Sequence, residues 1–295
     1  MSFSHWLDRI QARIQSSTRR KATRRRRSQS GQHNIQLPSL TEQLEDRTLL
    51  TVGVADIAVV GWNSDGGDDW AIVTLRDIPA NEVVFFTDRG WQEPSNTFTN
   101  STFDTALTWT VDADGVPAGT FLSNATLTTQ GTVSGSLSFD SGGDQLLIYQ
   151  TADDMPDSLP PTFIYAFNNN NFGATNGWQD SDAVGGGSSS VPEGLTAVTT
   201  SGGAGSAFGL LNEAADNYRY DGPTTDADKA TWLSRIHTTG NWTSDDTNAL
   251  DVSPTQIGNP NTAGTVVVTD AGGGNTAPTV SSAPTDITVT EDTSS

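Results

Sequence analysis

The chain has 295 residues, a net charge of −20 from 35 acidic against 15 basic residues, no cysteine, and 34% hydrophobic residues. No disulfide framework or cysteine zinc site can form, and the acidic balance disfavours nucleic acid or an anionic membrane surface as a partner. The length allows one large or two small domains. Its 29 glycines and many strand-forming residues point to a mainly β protein with long loops.

Charge is unevenly divided. Residues 1–50 hold ten of the basic residues against four acids (Asp8, Glu42, Glu45 and Asp46), a net of +6. The remaining 245 residues hold five basic residues against 31 acids, a net of −26. Residues 4–16 read as a short helix capped by Ser4, with Trp6, Ile10 and Ile14 on one face. The basic block Thr18–Arg27 follows and reads as part of a disordered, solvated leader. A nucleic-acid arm is the competing reading. The acidic body and the lack of a groove-reading element count against it.

Within Gln36–Leu50, Leu37, Leu40 and Leu44 fall on one helical face after Pro38, and Leu49 and Leu50 follow. This stretch resembles the LEPR-XLL sorting segment found near the start of very large secreted bacterial proteins. Leu44, Glu45, Arg47, Leu49 and Leu50 fit that pattern, while Asp46 stands where its name places proline. The resemblance implies that residues 1–50 are an export and sorting leader and that the product is extracellular or held at the cell surface. A short helix clasping the domain is the other reading. No apolar run approaches the roughly 18 residues of a membrane span; the longest, Leu49–Trp62, is interrupted by Gly53, Asp56 and Gly61.

From residue 52 the pattern changes to short strands bounded by Gly, Pro, Asn and Asp. The spacing predicts strands at Val54–Trp62, Trp70–Leu75, Val83–Thr87, Leu107–Val111, Gly119–Leu122, Gly131–Phe139, Gln145–Tyr149, Thr162–Phe167, Leu195–Val198, Ala207–Leu211 and Thr265–Thr269. One helix is predicted at Asp226–Ile236, capped by Asp226 and docked through Trp232, Leu233 and Ile236. Asn168–Pro192 and Gly240–Asn261 read as long surface loops. The fold class is thus a β-sandwich-like domain over residues 52–268 with one short helix, followed by a linker at 269–276.

The stretch from Ala55 to Trp91 resembles a domain that recurs in large extracellular bacterial proteins beside adhesion-type repeats. The resemblance is carried by the Asn63-Ser-Asp loop, the Asp77-Ile-Pro-Ala turn and the Phe86-Thr-Asp-Arg-Gly-Trp end. It implies location and architecture. Residues 277–295 resemble the opening strand of a bacterial cadherin-like or immunoglobulin-like repeat, through Asn275, Ala277, Pro278, Asp286, Ile287, Val289, Glu291 and Asp292. About twenty residues cannot make a sandwich of roughly 100. The chain therefore reads as part of a longer product, the alternative being that this strand pairs with the body.

Candidate chemistry is sparse. His5 and His33 lie in the leader, leaving His237 as the one histidine of the body. A Ser–His–Asp arrangement would need it, yet no Gly-x-Ser-x-Gly elbow is present. His237 reads instead as a donor or cation at the helix C-terminus. Paired carboxylates are too numerous to single out a glycosidase pair. Seven tryptophans (62, 70, 91, 109, 178, 232 and 242) could stack on sugars or pack the core. Calcium is the candidate cofactor, at the Gly-containing loop bearing Asn63, Asp65, Asp68 and Asp69. Hard oxygens at short spacing suit a cation needing six to eight of them, and turn formation is the competing role. Flanking helices and the terminal glutamate of an EF-hand are absent from this pattern.

These features lead to the expectation of a non-catalytic extracellular module of a larger adhesion or scaffold protein. Its partner would be a surface protein or polysaccharide. A carbohydrate-binding module would instead require two or three exposed, coplanar tryptophans. A secreted hydrolase would require His237 or a carboxylate pair in a cleft.

Overall fold

A tight turn sets the start of the first strand. Asp56 N donates to Gly53 O (3.1 Å), Gly53 N donates back to Asp56 Oδ2 (2.6 Å), and Ala55 takes φ 57°. The strand therefore opens at Ile57, three residues later than the apolar run suggests. The computed structural model describes residues 52–270 other than 94, 100–104, 142, 170–176, 180–187, 211–214 and 261–263. The leader with Leu44, Glu45, Arg47, Leu49 and Leu50, linker residues 271–276 and the segment 277–295 lie outside the described residues.

In chain order the strands are β1 (Ile57–Asn63), β2 (Trp70–Thr74), β3 (Val83–Thr87), β4 (Trp91–Gln92), β5 (Thr97–Phe98), β6 (Ala106–Val111), β7 (Phe121–Ser123), β8 (Gly131–Ser134), β9 (Gln145–Gln150), β10 (Thr162–Asn168), β11 (Ala207–Gly209) and β12 (Asn217–Tyr220). Helix α1 (Lys229–Ile236) and strand β13 (Trp242–Asp245) follow. A five-stranded sheet runs β13-β12-β1-β2-β7, and a six-stranded sheet runs β11-β10-β9-β3-β6-β8. All named pairings in them are antiparallel except β10–β11. The protein is mainly β, with two facing sheets, as its strand pattern predicts.

Alternation along the strands explains how the layers stack. On β3, Phe86 joins the main core, while neighbouring Phe85 belongs to a second apolar cluster. The main core holds Trp62, Trp70, Phe86, Trp109, Phe139 and Phe167. Trp62 lies against Phe139 and Phe167, and Trp70 against Phe86, at ring-centroid distances of 3.9, 5.3 and 4.8 Å. The second cluster packs Trp91 and Phe98 of the β4–β5 hairpin and Trp178 onto Phe85, Leu147, Tyr149 and Phe163. β1 is buried along its whole length. At Gly61 an added Cβ would come within 2.8 Å of Val252, so close packing there requires glycine.

Several expectations need correction. Residues 195–198 and 265–269 form only isolated bridges, through Ala197, Thr265 and Val268. The predicted loop 240–261 contains β13 and buries Val252 and Ile257. β12, too, carries no predicted strand. The helix cap is Asp228 rather than Asp226: Asp228 Oδ1 accepts from Thr231 N at 2.7 Å, the reach a side chain has to the third residue of the helix. Ala227 is held extended by its bridge to Val268. α1 touches both sheets, with Trp232 against Phe121 and His237 against Tyr165 and Phe208. Among the described residues no helix is long and apolar enough to cross a membrane.

Candidate functional site

β1 separates two ends of the domain by roughly 20 Å, at about 3.3 Å per residue. At its Ile57 end, buried Asp56 receives Lys229 Nζ at 2.6 Å and lies 3.7 Å from Arg76 Nε. Lys229 Nζ also donates to Val54 O (2.7 Å), and Lys229 N donates to Asp270 Oδ1 (2.7 Å). The segment leading into β1 and the last described residue therefore meet on one lysine. Ala227 reinforces this by donating to Val267 O (3.3 Å) and accepting from Thr269 N (2.9 Å).

The opposite end, beyond Asn63, is acidic. Asn63 is buried and exchanges two bonds with the backbone of Leu250: Nδ2 donates to its carbonyl (2.8 Å) and Oδ1 accepts from its amide (3.0 Å). Asp65 N donates to Asn217 Oδ1 at 3.3 Å. Asp68 Oδ1 accepts from Phe139 N (2.9 Å), and Asp69 Oδ1 accepts from Asn124 Nδ2 (2.9 Å). The side chains of Asn63, Asp68 and Asp69 thus bind three different segments, while Asp65 is tied to Asn217 through its backbone. Among the described residues no group of three or more His, Asp or Glu converges as a metal site.

Charge nevertheless accumulates here. Burial pushes the Asp216 carboxyl above the usual range, and neighbouring Asp246, Asp65 and Asp140 push it further. Beneath lies a knot of two buried acids, Asp88 and Asp144, that no motif in the sequence marks. Asp88 accepts from Thr105 N (2.7 Å) and Ser138 N (2.9 Å). Asp144 accepts from Gln145 N (2.8 Å) and Asp140 N (3.1 Å). The Gln145 amide donates to the Asp88 carbonyl and to Asp144 Oδ1. A legible signal did exist, since each acid abuts the end of an apolar strand, Asp88 after β3 and Asp144 before β9.

Other acid pairs serve local turns. Asp112 Oδ1 accepts from Asp114 N (3.1 Å), and Asp245 Oδ1 accepts from Thr247 N and Asn248 N (both 2.8 Å). Such bonds hold Asp228, Asp245 and Asp251 below the usual carboxylate range. Of the seven body tryptophans, six are buried and Trp242 is half-buried, its Nε1 donating to Ile236 O at 2.7 Å. They pack the interior and offer no coplanar exposed platform.

His237 caps α1 but is wholly buried. Its Nδ1 faces Gly203 O (2.9 Å) and its Nε2 faces Tyr165 Oη (3.1 Å). Burial pushes the imidazole down to about 4, so at neutral pH it is an uncharged donor rather than a cation on the helix terminus. Neither of these partners is a serine or a carboxylate. No protein-family model, curated protein or solved structure matches the chain.

Proposed function

We propose that this chain is a non-catalytic module of a larger extracellular or surface-held protein, displayed from the Lys229 end with its acidic end facing outward. The observation that carries this reading is the meeting of Val54, Asp56 and Asp270 on Lys229, roughly one strand length from the acids around Asp216. A domain held at one end stands as a head on its chain, leaving the far loops free to meet a surface protein or polysaccharide. Export rests on the LEPR-XLL-like residues Leu44, Glu45, Arg47, Leu49 and Leu50 and on the adhesion-repeat resemblance of 277–295. The test is to label intact producing cells with an antibody against the folded domain. Surface staining that added protease removes is the expected result. Staining only after lysis contradicts the reading.

Calcium is a second reading, favoured by the crowding of Asp65, Asp140 and Asp246 on Asp216. A divalent cation would relieve that repulsion more effectively than added monovalent salt. Thermal unfolding in calcium and in chelator at equal ionic strength tests it. A calcium-specific rise in Tm supports binding by mass action, and equal curves reject it.

A further inference from the structure

We propose that His237 and Tyr165 form an acid-sensitive latch that holds the 199–206 loop and β11 against the C-terminal end of α1. The hydrogen-bond geometry defines the latch. Gly203 O can only accept, so the nitrogen 2.9 Å away, Nδ1, carries the imidazole proton. Nε2 then presents a lone pair, and Tyr165 donates its hydroxyl hydrogen across 3.1 Å. A neutral ring satisfies both partners. An imidazolium would aim a second N–H at the phenol and turn the phenol hydrogen away from its acceptor.

Among the described residues no carboxylate lines the ring or shifts its charge. β10 supplies Tyr165, β11 supplies Phe208, and the facing loop and the following turn supply hydroxyl groups. On α1 itself, Arg235 is turned to Thr225 O (2.6 Å) and lies over Trp232, while Lys229 is held by Asp56. The bonds that depend on the latch are local. Gly202 N donates to His237 O (2.9 Å), Ser234 Oγ donates to Gly202 O (2.9 Å), and Thr239 N donates to Ser201 Oγ (3.1 Å). Beside the ring is a cavity of about 50 Å³ lined by Val198, Thr199, Thr200, Ser201, Phe208 and Thr239, a route by which water reaches a charged ring once the loop lifts. β11 is also retained by its parallel pairing with β10, its bridge to Ala197 and the burial of Ala207 and Phe208, so the loop before it is the part that depends most on the latch.

The direction follows from linkage. Burial lowers the imidazole from 6.5 to about 4 in the folded protein. The latch is therefore complete above pH 6.5 and is lost as the pH falls through about 4.

Hydrogen exchange on the full chain, corrected for the intrinsic pH dependence of exchange, reads the latch directly. Peptides spanning 199–209 are expected to lose protection at pH 4 relative to pH 7, while those of β1 and β2 keep theirs. His237→Gln preserves a donor and an acceptor without titrating, and should remove that difference. Histidine NMR of the unsubstituted chain stands apart from any folding defect in the variant: His237 should hold the Nδ1–H form at pH 7 and take up its proton near pH 4. Titration of His237 alongside His5 and His33, equal protection of 199–209 at both pH values, or an undiminished acid response in His237→Gln would each overturn the proposal.

Discussion

Asp56 shows how one side chain can define an end of a domain. It binds Gly53 N, Lys229 Nζ and the neighbourhood of Arg76 from a position only 7% exposed. Asp56→Ala leaves Lys229 without its buried counter-charge, and urea unfolding should record a loss of about 3 kcal/mol. Asp216 predicts the opposite sign. Its carboxyl is disfavoured first by burial and then by Asp246, Asp65 and Asp140, so Asp216→Asn should stabilise the protein by about 0.5 kcal/mol. A fall in Tm in that variant would mean the acids are not crowded as described. Neither role was legible in the chain. Asp56 appeared only as an interruption of an apolar run, and the partners of Asp216 come from loops far apart in sequence.

At the scale of elements, strands made of consecutive β-branched and aromatic residues were readable, and β2, β3, β9 and β10 lie within a residue of where the pattern puts them. β12 and β13 were not, because Asn217–Tyr220 and Trp242–Asp245 mix polar and aromatic residues and are strands mainly through their pairing. The helix was found but its cap misplaced by two residues, since Asp226 and Asp228 offer the same side chain and only the backbone path separates them. The contact of Gly61 with Val252 ties β1 to the supposed loop. Gly61→Ala should cost about 1–3 kcal/mol by overpacking. Val252→Ala in the same chain should recover part of that loss, and a double-mutant cycle by urea unfolding gives the coupling. Additive losses would show that the two do not compete for space.

For the whole molecule, buried hydroxyls set an alkaline limit. Burial raises the phenols of Tyr149, Tyr165 and Tyr220 above their ordinary value of 10. The folded protein keeps these protons where the unfolded chain releases them, so stability present below pH 10 is lost as the pH climbs above it. Tyrosinate absorbance from these residues should therefore rise together with loss of the folded circular-dichroism signal, not before it. At the same scale, the arrangement of the two ends was invisible beforehand. Length and alternation specify strands and faces, but which loops share an end depends on strand order, and the order β13-β12-β1-β2-β7 is set by long-range pairing. The four loop residues Asn63, Asp65, Asp68 and Asp69 do lie at one end, where they tie together segments from across the chain.

The two-ended arrangement is the claim on which the proposed display rests, and the absence of native cysteine makes it directly measurable. Spin labels on cysteines placed at exposed Val54 and Val267, and in a second sample at Val54 and exposed Asp246, give two distances by pulsed dipolar spectroscopy. The first pair is expected to be the closer one, and the second to be separated by at least the roughly 20 Å that β1 spans. Equal distances, or a longer one between Val54 and Val267, would contradict the two-ended arrangement.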